Sequence, residues 1–184
     1  MSEKGLTEEG KPNRRGLLYA GVAVAATLAG AGIAWRKWSP GPAQPDAVAT
    51  LWPLAFDTPS GAKLEMGALR GKPLLLNFWA TWCPPCVEEM PILDAFFREN
   101  ASKRWQVIGL AIDQPSAVRA FLARTPVSYP VGLAGLGGSE LSKTLGNLEG
   151  GLPFTVVIGS AGQIAQRRIG RVSETELAHW RELS

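Results

Sequence analysis

Cys83 and Cys86 are the two cysteines of this 184-residue chain, set in Trp82-Cys83-Pro84-Pro85-Cys86. Two thiols at this spacing on a helix start lie on one side, close enough to bridge, so the pair can cycle between dithiol and disulfide. No cysteine is left for a structural bridge elsewhere, and His179 is the single histidine. A four-ligand zinc site therefore lacks ligands. Val87 follows Cys86, which excludes the C-x-x-C-H haem attachment sequence. The chemistry that remains is thiol–disulfide exchange, carried by a thiolate, with neither metal nor cofactor expected.

The elements around the pair favour that chemistry. Pro73-Leu74-Leu75-Leu76-Asn77-Phe78-Trp79 is a continuous apolar run, the pattern of a strand buried on both faces. Residues 84–100 read as a helix, with Val87, Met90, Leu93, Ala95 and Phe97 on a broad apolar face and Asn100 at the end. Cys83 thus stands where strand gives way to helix, at the positive end of the helix dipole, and is the expected attacking thiolate. Cys86, one turn deeper, is the expected resolving thiol. Pro84 suits the first helical position, where a missing N–H costs nothing, and Pro85 removes a second donor. A thiolate with fewer backbone donors is less stabilised, which makes the couple more reducing.

The remainder reads as one α/β domain. Residues 52–70 suggest a small hairpin around Thr58-Pro59-Ser60-Gly61. A second buried strand is expected over 106–112, helices over 116–124 and 139–145, and a hairpin of 155–158 with 163–169 around Ser160-Ala161-Gly162. Ser173 and Glu176 form a capping box for a terminal helix, 174–183. The order β-α-β-α-β-β-α implies a mixed central sheet with helices on both faces.

Ahead of the domain lies a different kind of segment. Residues 1–15 are polar and end in Arg14-Arg15, and 16–35 carry no charge. Twenty helical residues span about 30 Å, one hydrocarbon core. Four Lys/Arg precede the segment and two follow it, a bias that puts residues 1–15 in the cytoplasm and exports the rest. Trp35 and Trp38 stand where interfacial aromatics would. Eleven of the twenty residues are Ala or Gly, Ala29-Gly30-Ala31 has the small-x-small pattern of a cleavage site, and Asn13–Leu18 resembles a twin-arginine signal. Residues 16–35 are accordingly a signal-anchor or a signal-peptide helix, leaving the domain tethered or soluble outside the cytoplasm. Residues 36–50 form a Pro/Gly linker, and the domain is expected over 51–184. The pI near 9.1 invites a nucleic-acid partner, but counting charge by segment removes that reading. Residues 1–37 hold six basic against three acidic side chains, whereas 38–184 hold thirteen of each.

The stretch Asn77-Phe78-Trp79-Ala80-Thr81-Trp82-Cys83-Pro84-Pro85-Cys86-Val87-Glu88-Glu89-Met90-Pro91 resembles the active-site segment of thioredoxin-fold proteins. Within them it resembles the exported TlpA-like branch, which includes the cytochrome c maturation thioredoxins. Pro91 matches the proline that kinks the first helix of that fold. Gly151-Leu152-Pro153-Phe154-Thr155 resembles its cis-proline loop, and Ala111-Ile112-Asp113 and Ser128-Tyr129-Pro130-Val131 fall where the branch carries its central insertion.

The resemblance implies a thioredoxin-like α/β fold over about 52–184 and a thiol–disulfide oxidoreductase acting on protein disulfides. It further implies a membrane thiol electron donor, with apocytochrome c or copper-site cysteines as clients. Trp82 would flank the sulfur, Pro153 would be cis and face the cysteines, and the backbone of Leu152 would pair with a client strand. General thioredoxins carry a buried acid at the position of Asn77. The TlpA-like branch instead carries a glutamate at the position of Glu89, three residues after Cys86, which makes Glu89 the proton-handling group. A net thiol oxidase is the nearest alternative, and the Pro-Pro pair argues against its strongly stabilised thiolate. A non-enzymatic copper-binding assembly module on this fold uses C-x-x-x-C, one residue longer than the spacing here. A peroxiredoxin-type peroxidase needs threonine three residues before the cysteine, where this chain has Ala80.

Overall fold

The computed structural model describes residues 47–100, 102 and 104–182. The uncharged segment 16–35, the paired arginines and most of the linker lie outside them. Among the described residues no helix is long and apolar enough to cross a membrane. The folded unit takes in residues 47–50, four ahead of the boundary expected at Leu51: Ala47–Thr50 is a 3-10 turn that buries Ala47 and Val48.

Seven strands and four helices follow. They are β1 (Ala55–Asp57), β2 (Lys63–Glu65), β3 (Leu74–Trp79), α1 (Pro84–Asn100), β4 (Gln106–Ala111), α2 (Pro115–Leu122) and β5 (Val131–Leu133). Then come α3 (Gly135–Thr144), β6 (Phe154–Ile158), β7 (Ile164–Ile169) and α4 (Glu174–Glu182). One mixed sheet has the order β2-β1-β5-β4-β3-β6-β7. Its centre, β5-β4-β3, is parallel, and β6 and β7 are antiparallel additions. β3 and α1 fall where the sequence predicts them. So does the capping box, with the Ser173 N–H donating to Glu176 Oε2 at 2.9 Å and the Glu176 N–H to Ser173 Oγ at 3.2 Å.

Two elements depart from expectation. β5 has no counterpart in the sequence reading, because Val131-Gly132-Leu133 is too short and too glycine-interrupted to show a period; its pairing with Gly109–Ala111 and with Asp57 defines it. α3 begins at Gly135 rather than Ser139. Its first turn is glycine-rich for a packing reason: a Cβ at Gly138 would sit 2.7 Å from that of Ala134.

Alternation along the central strands divides the interior into two cores, which is why the strand sequences are apolar throughout. Leu74, Leu76, Phe78, Ile108, Leu110, Phe154, Val156 and Ile158 enter the core that α3 covers through Leu141. Leu75, Trp79, Val107, Ala111 and Val157 enter the core with α1, α2 and α4. One row on this second face breaks the apolar pattern. Asn77 is paired with Gly109 on one side and Thr155 on the other, and this row lies on the face that α1 covers.

Candidate active site

α1 starts where β3 has ended and the chain has turned through Ala80–Cys83. Cys83 and Cys86 are joined by a disulfide, their Cα atoms 5.3 Å apart. Cys83 is 5% exposed and Cys86 0%. Oxidised Cys83 is therefore far less open than a loop position suggests, yet it is the one residue of the pair that keeps any exposure. Trp82 beside it is 67% exposed, whereas Trp79 is fully buried against Phe121. The first turn of α1 offers few free donors. Pro84 and Pro85 have none, and the N–H groups of Cys86 and Val87 both donate to the carbonyl oxygen of Cys83, at 3.0 and 3.2 Å.

The loop before Cys83 is tied to the end of β4. Asp113 Oδ2 accepts from the Thr81 N–H at 2.9 Å and from the Thr81 hydroxyl at 2.5 Å, while its other oxygen accepts from the Gln114 N–H at 2.6 Å. These hydrogen bonds hold the Asp113 carboxyl below the usual carboxylate range, against partial burial. Sequence reasoning placed Asp113 in this region without seeing the tie, since only the fold brings the ends of β3 and β4 together.

Glu89 lies one turn behind Cys86 and is completely buried. Both its oxygens are engaged: Oε1 accepts from the Asn77 side-chain amide at 2.7 Å, and Oε2 from the Val172 N–H at 2.9 Å. Burial pushes its pKa up to about 7. The Val172 and Asn77 hydrogen bonds, with the charges of Arg171 and Arg168, oppose that rise. Glu88, the preceding residue, points to solvent and pairs with Arg171 at 3.0 Å. The two adjacent glutamates thus occupy opposite environments, one apt for proton transfer near neutral pH and the other a surface ion pair.

In the loop leading into β6 the Leu152–Pro153 peptide bond is cis; Pro153 is buried, and half-buried Leu152 packs against the core that contains both cysteines. Asn147 shapes this loop by donating from its side chain to the Gly151 carbonyl at 2.9 Å. The Pro153 carbonyl accepts from the Gly170 N–H at 2.8 Å, so the segment that delivers the Val172 N–H to Glu89 also touches the proline loop. His179 is exposed on α4, away from this cluster.

Several residues of the site carried only weak sequence signals. Asn77, Thr155 and Gly109 interrupt the buried apolar stretches of their strands. Gly109 makes room rather than a turn: a Cβ there would meet the Tyr129 ring at 3.0 Å and Trp79 Nε1 at 3.1 Å. Tyr129 is buried, its hydroxyl has no partner, and burial first, then the charge of Glu89, raises its pKa.

Comparison with known proteins agrees with this geometry. The Redoxin family model matches residues 42–180. The thiol-disulfide oxidoreductase ResA of Bacillus cereus is 31% identical over 119 residues, 64% of this chain and 66% of that protein, so the chain spans about two thirds of that relative. The sporulation thiol-disulfide oxidoreductase A of Bacillus subtilis is 25% identical over 151 residues, 79% of this chain and 88% of that protein. The crystal structure of a thioredoxin-related protein from Neisseria meningitidis serogroup B superposes with a TM-score of 0.60 at 34% identity, covering 67% of this chain and 92% of that one. With a thioredoxin-like sheet, a Cys83–Cys86 disulfide at a helix start and these relatives, the chain belongs to the Redoxin family and is an enzyme of the thiol–disulfide oxidoreductase kind.

Proposed function

We propose that this protein works outside the cytoplasm as a reductant of protein disulfides, tethered to the membrane by residues 16–35. The observation that carries the direction of electron flow is the donor-poor first turn of α1. With Pro84 and Pro85 lacking N–H groups and those of Cys86 and Val87 committed to the Cys83 carbonyl, a Cys83 thiolate gains little from the helix start. The buried carboxylate of Glu89 behind Cys86 adds like-charge repulsion when ionised. A poorly stabilised thiolate leaves the dithiol the less favoured form, so the pair gives up its electrons readily.

The cycle follows from these positions. The Cys83 thiolate attacks a sulfur of the client disulfide, forming a mixed disulfide and releasing one client thiolate. Cys86 then loses its proton to Glu89 and attacks Cys83 Sγ. This forms the Cys83–Cys86 disulfide and expels the second client thiolate, which takes a proton from neutral Glu89 or from water. Two electrons pass from the dithiol to the client; the proton Cys83 gave to water on ionising returns from water to the first client thiolate, and the Cys86 proton travels by way of Glu89. The exposed Trp82 covers one flank of the attacking sulfur, and the backbone of Leu152 beside Pro153 pairs with an extended client segment. In an oxidising compartment the spent disulfide is re-reduced by a membrane thiol carrier. The resemblance to the TlpA-like branch supports apocytochrome c or copper-site cysteines as clients.

The test is a trap. In Cys86→Ser the second step cannot occur, so a client stays joined to Cys83. Recovery of a covalent adduct at Cys83 with exported proteins bearing cysteine pairs is expected. Adducts confined to cytoplasmic proteins would overturn the assigned location, and their complete absence the substrate class.

A further inference from the structure

The hydrogen bonds around Glu89 form a closed circuit through the proline loop. From Pro153 one arm runs forward along β6 to Thr155, two residues on. The hydroxyl of Thr155 accepts from the Asn77 side-chain amide at 3.0 Å, and the same nitrogen donates to Glu89 Oε1 at 2.7 Å. The other arm leaves the Pro153 carbonyl, which accepts from the Gly170 N–H at 2.8 Å. It passes through Arg171 to the Val172 N–H, which donates to Glu89 Oε2 at 2.9 Å. Both oxygens of one fully buried carboxyl thus close a ring that begins and ends at Pro153.

Asn77 is placed for this role by the strand register, since it is the β3 partner of Thr155. Its amide nitrogen has two hydrogens and spends both, one on each neighbour. The ionised Glu89 carboxylate accepts only, so it keeps the nitrogen rather than the carbonyl oxygen beside it, and the Thr155 hydroxyl anchors that nitrogen by taking its second hydrogen.

We propose that Thr155 and Asn77 are positioning residues of the reaction, and that the ring they close couples the client-facing loop at Pro153 to the acid behind Cys86. The coupling rests on the client-binding reading of that loop given above. A client strand that shifts the loop shifts the Thr155 hydroxyl and the Gly170 N–H together, and so changes the donors on Glu89. By linkage, the charge on Glu89 biases the loop equally. The ring makes proton delivery responsive to an occupied groove.

Other groups act on Glu89 and stay constant in the test. Cys86 and Glu88 share its helix, Arg171 lies on the return segment, and Arg168 on β7 pairs with Glu176 of α4 at 3.3 Å. Tyr129, from the segment before β5, feels the charge of Glu89 and of Asp94.

The measurement is the protonation midpoint of Glu89, read by carbon-13 NMR of its side-chain carboxyl in the oxidised full chain, where neither cysteine titrates. Thr155→Val keeps the branched shape and removes the acceptor of the second amide hydrogen, so the nitrogen is no longer anchored against Glu89. It is expected to raise the proton affinity of Glu89 at least about threefold, as is Asn77→Leu, because a donor to the carboxylate is lost. Thr155→Ser, which keeps the hydroxyl, is expected to restore the wild-type midpoint. A wild-type midpoint in Thr155→Val, or an equal shift in Thr155→Ser, would overturn the positioning role.

The coupling is read in Cys86→Ser carrying a cysteine peptide as a mixed disulfide on Cys83. The peptide is expected to move the Glu89 midpoint, and Thr155→Val to abolish that movement. An unmoved midpoint refutes the coupling. The peptide-free measurement needs no turnover, so its failure counts against the ring alone. Failure of the wild-type enzyme to exchange disulfides counts instead against the function proposed above.

Discussion

Replacing Glu89 by Gln tests the site through the pH dependence of stability, independently of catalysis. Burial raises the Glu89 pKa from 4.5 to about 7 in the folded protein. The sign follows from which state holds the proton. Below pH 4.5 the carboxyl is protonated whether the chain is folded or not, and Glu89 adds no pH dependence. Between pH 4.5 and 7 the unfolded chain releases its proton while the folded one keeps it, so the native state loses ground as pH rises. At about 1.4 kcal/mol per pKa unit the loss reaches about 3 kcal/mol by pH 8. Other titrating groups are common to wild type and variant and cancel in the difference. With the disulfide intact the cysteines contribute nothing.

The assay is urea unfolding of both oxidised proteins at intervals from pH 4 to 8. Over that range the wild type should lose about 3 kcal/mol relative to Glu89→Gln. With the urea slopes usual for small domains, that is a relative midpoint change on the order of 1 M or more. Glu88→Gln is the control. Glu88 is exposed and its pair with Arg171 spans the surface, so its removal should cost less than about 1 kcal/mol and leave the wild-type slope. Equal pH dependence in wild type and Glu89→Gln, or a wild type that gains stability relative to the variant as pH rises, would refute the buried, proton-holding Glu89.

Two further outcomes follow from the packing. After reduction, Cys83 should react with an alkylating reagent well before Cys86, because solvent reaches the first and not the second; peptide mass mapping reads the order, and prior labelling of Cys86 would reverse their roles. Gly109→Ala should destabilise the fold by about 1–3 kcal/mol in thermal unfolding, since the new methyl meets the Tyr129 ring and the Trp79 indole. An unchanged midpoint would mean that Tyr129 and Trp79 are packed loosely enough to give way to the methyl.

Legibility in the sequence followed how local each feature is. The helix 84–100 and the strand before it are written in contiguous residues: an apolar run, a Pro-rich helix start and a helical apolar face. The capping box at Ser173 and the hairpin at Ser160-Ala161-Gly162 are equally local. β5 is not, because three residues around Gly132 become a strand only when β1 and β4 flank them. The early start of α3 was hidden by glycines that weaken helix propensity but permit close packing against Ala134 and Ile112.

At the site the two cysteines announced themselves. Glu89 was legible as an acid three residues past Cys86. Its burial was not, because nothing local separates it from Glu88; the difference arises where Asn77 and Val172, from distant parts of the chain, reach its two oxygens. Asn77 stands in the sequence only as a neutral side chain where general thioredoxins carry an acid, and its use as a donor needs the β3–β6 register. The Thr81–Asp113 tie spans 32 positions and likewise appears only once the parallel strands are aligned.

The reduction potential of the Cys83–Cys86 couple tests the central claim most directly. Equilibration of the protein with glutathione buffers of defined ratio, followed by quenching and counting of free thiols, gives its value. A donor-poor helix start and a buried acid behind Cys86 predict a reducing couple, nearer thioredoxin's about −270 mV than the about −120 mV of the strong periplasmic oxidant. A potential clearly above about −200 mV, the upper end of the glutaredoxin range, would contradict it and make the protein a donor of disulfides.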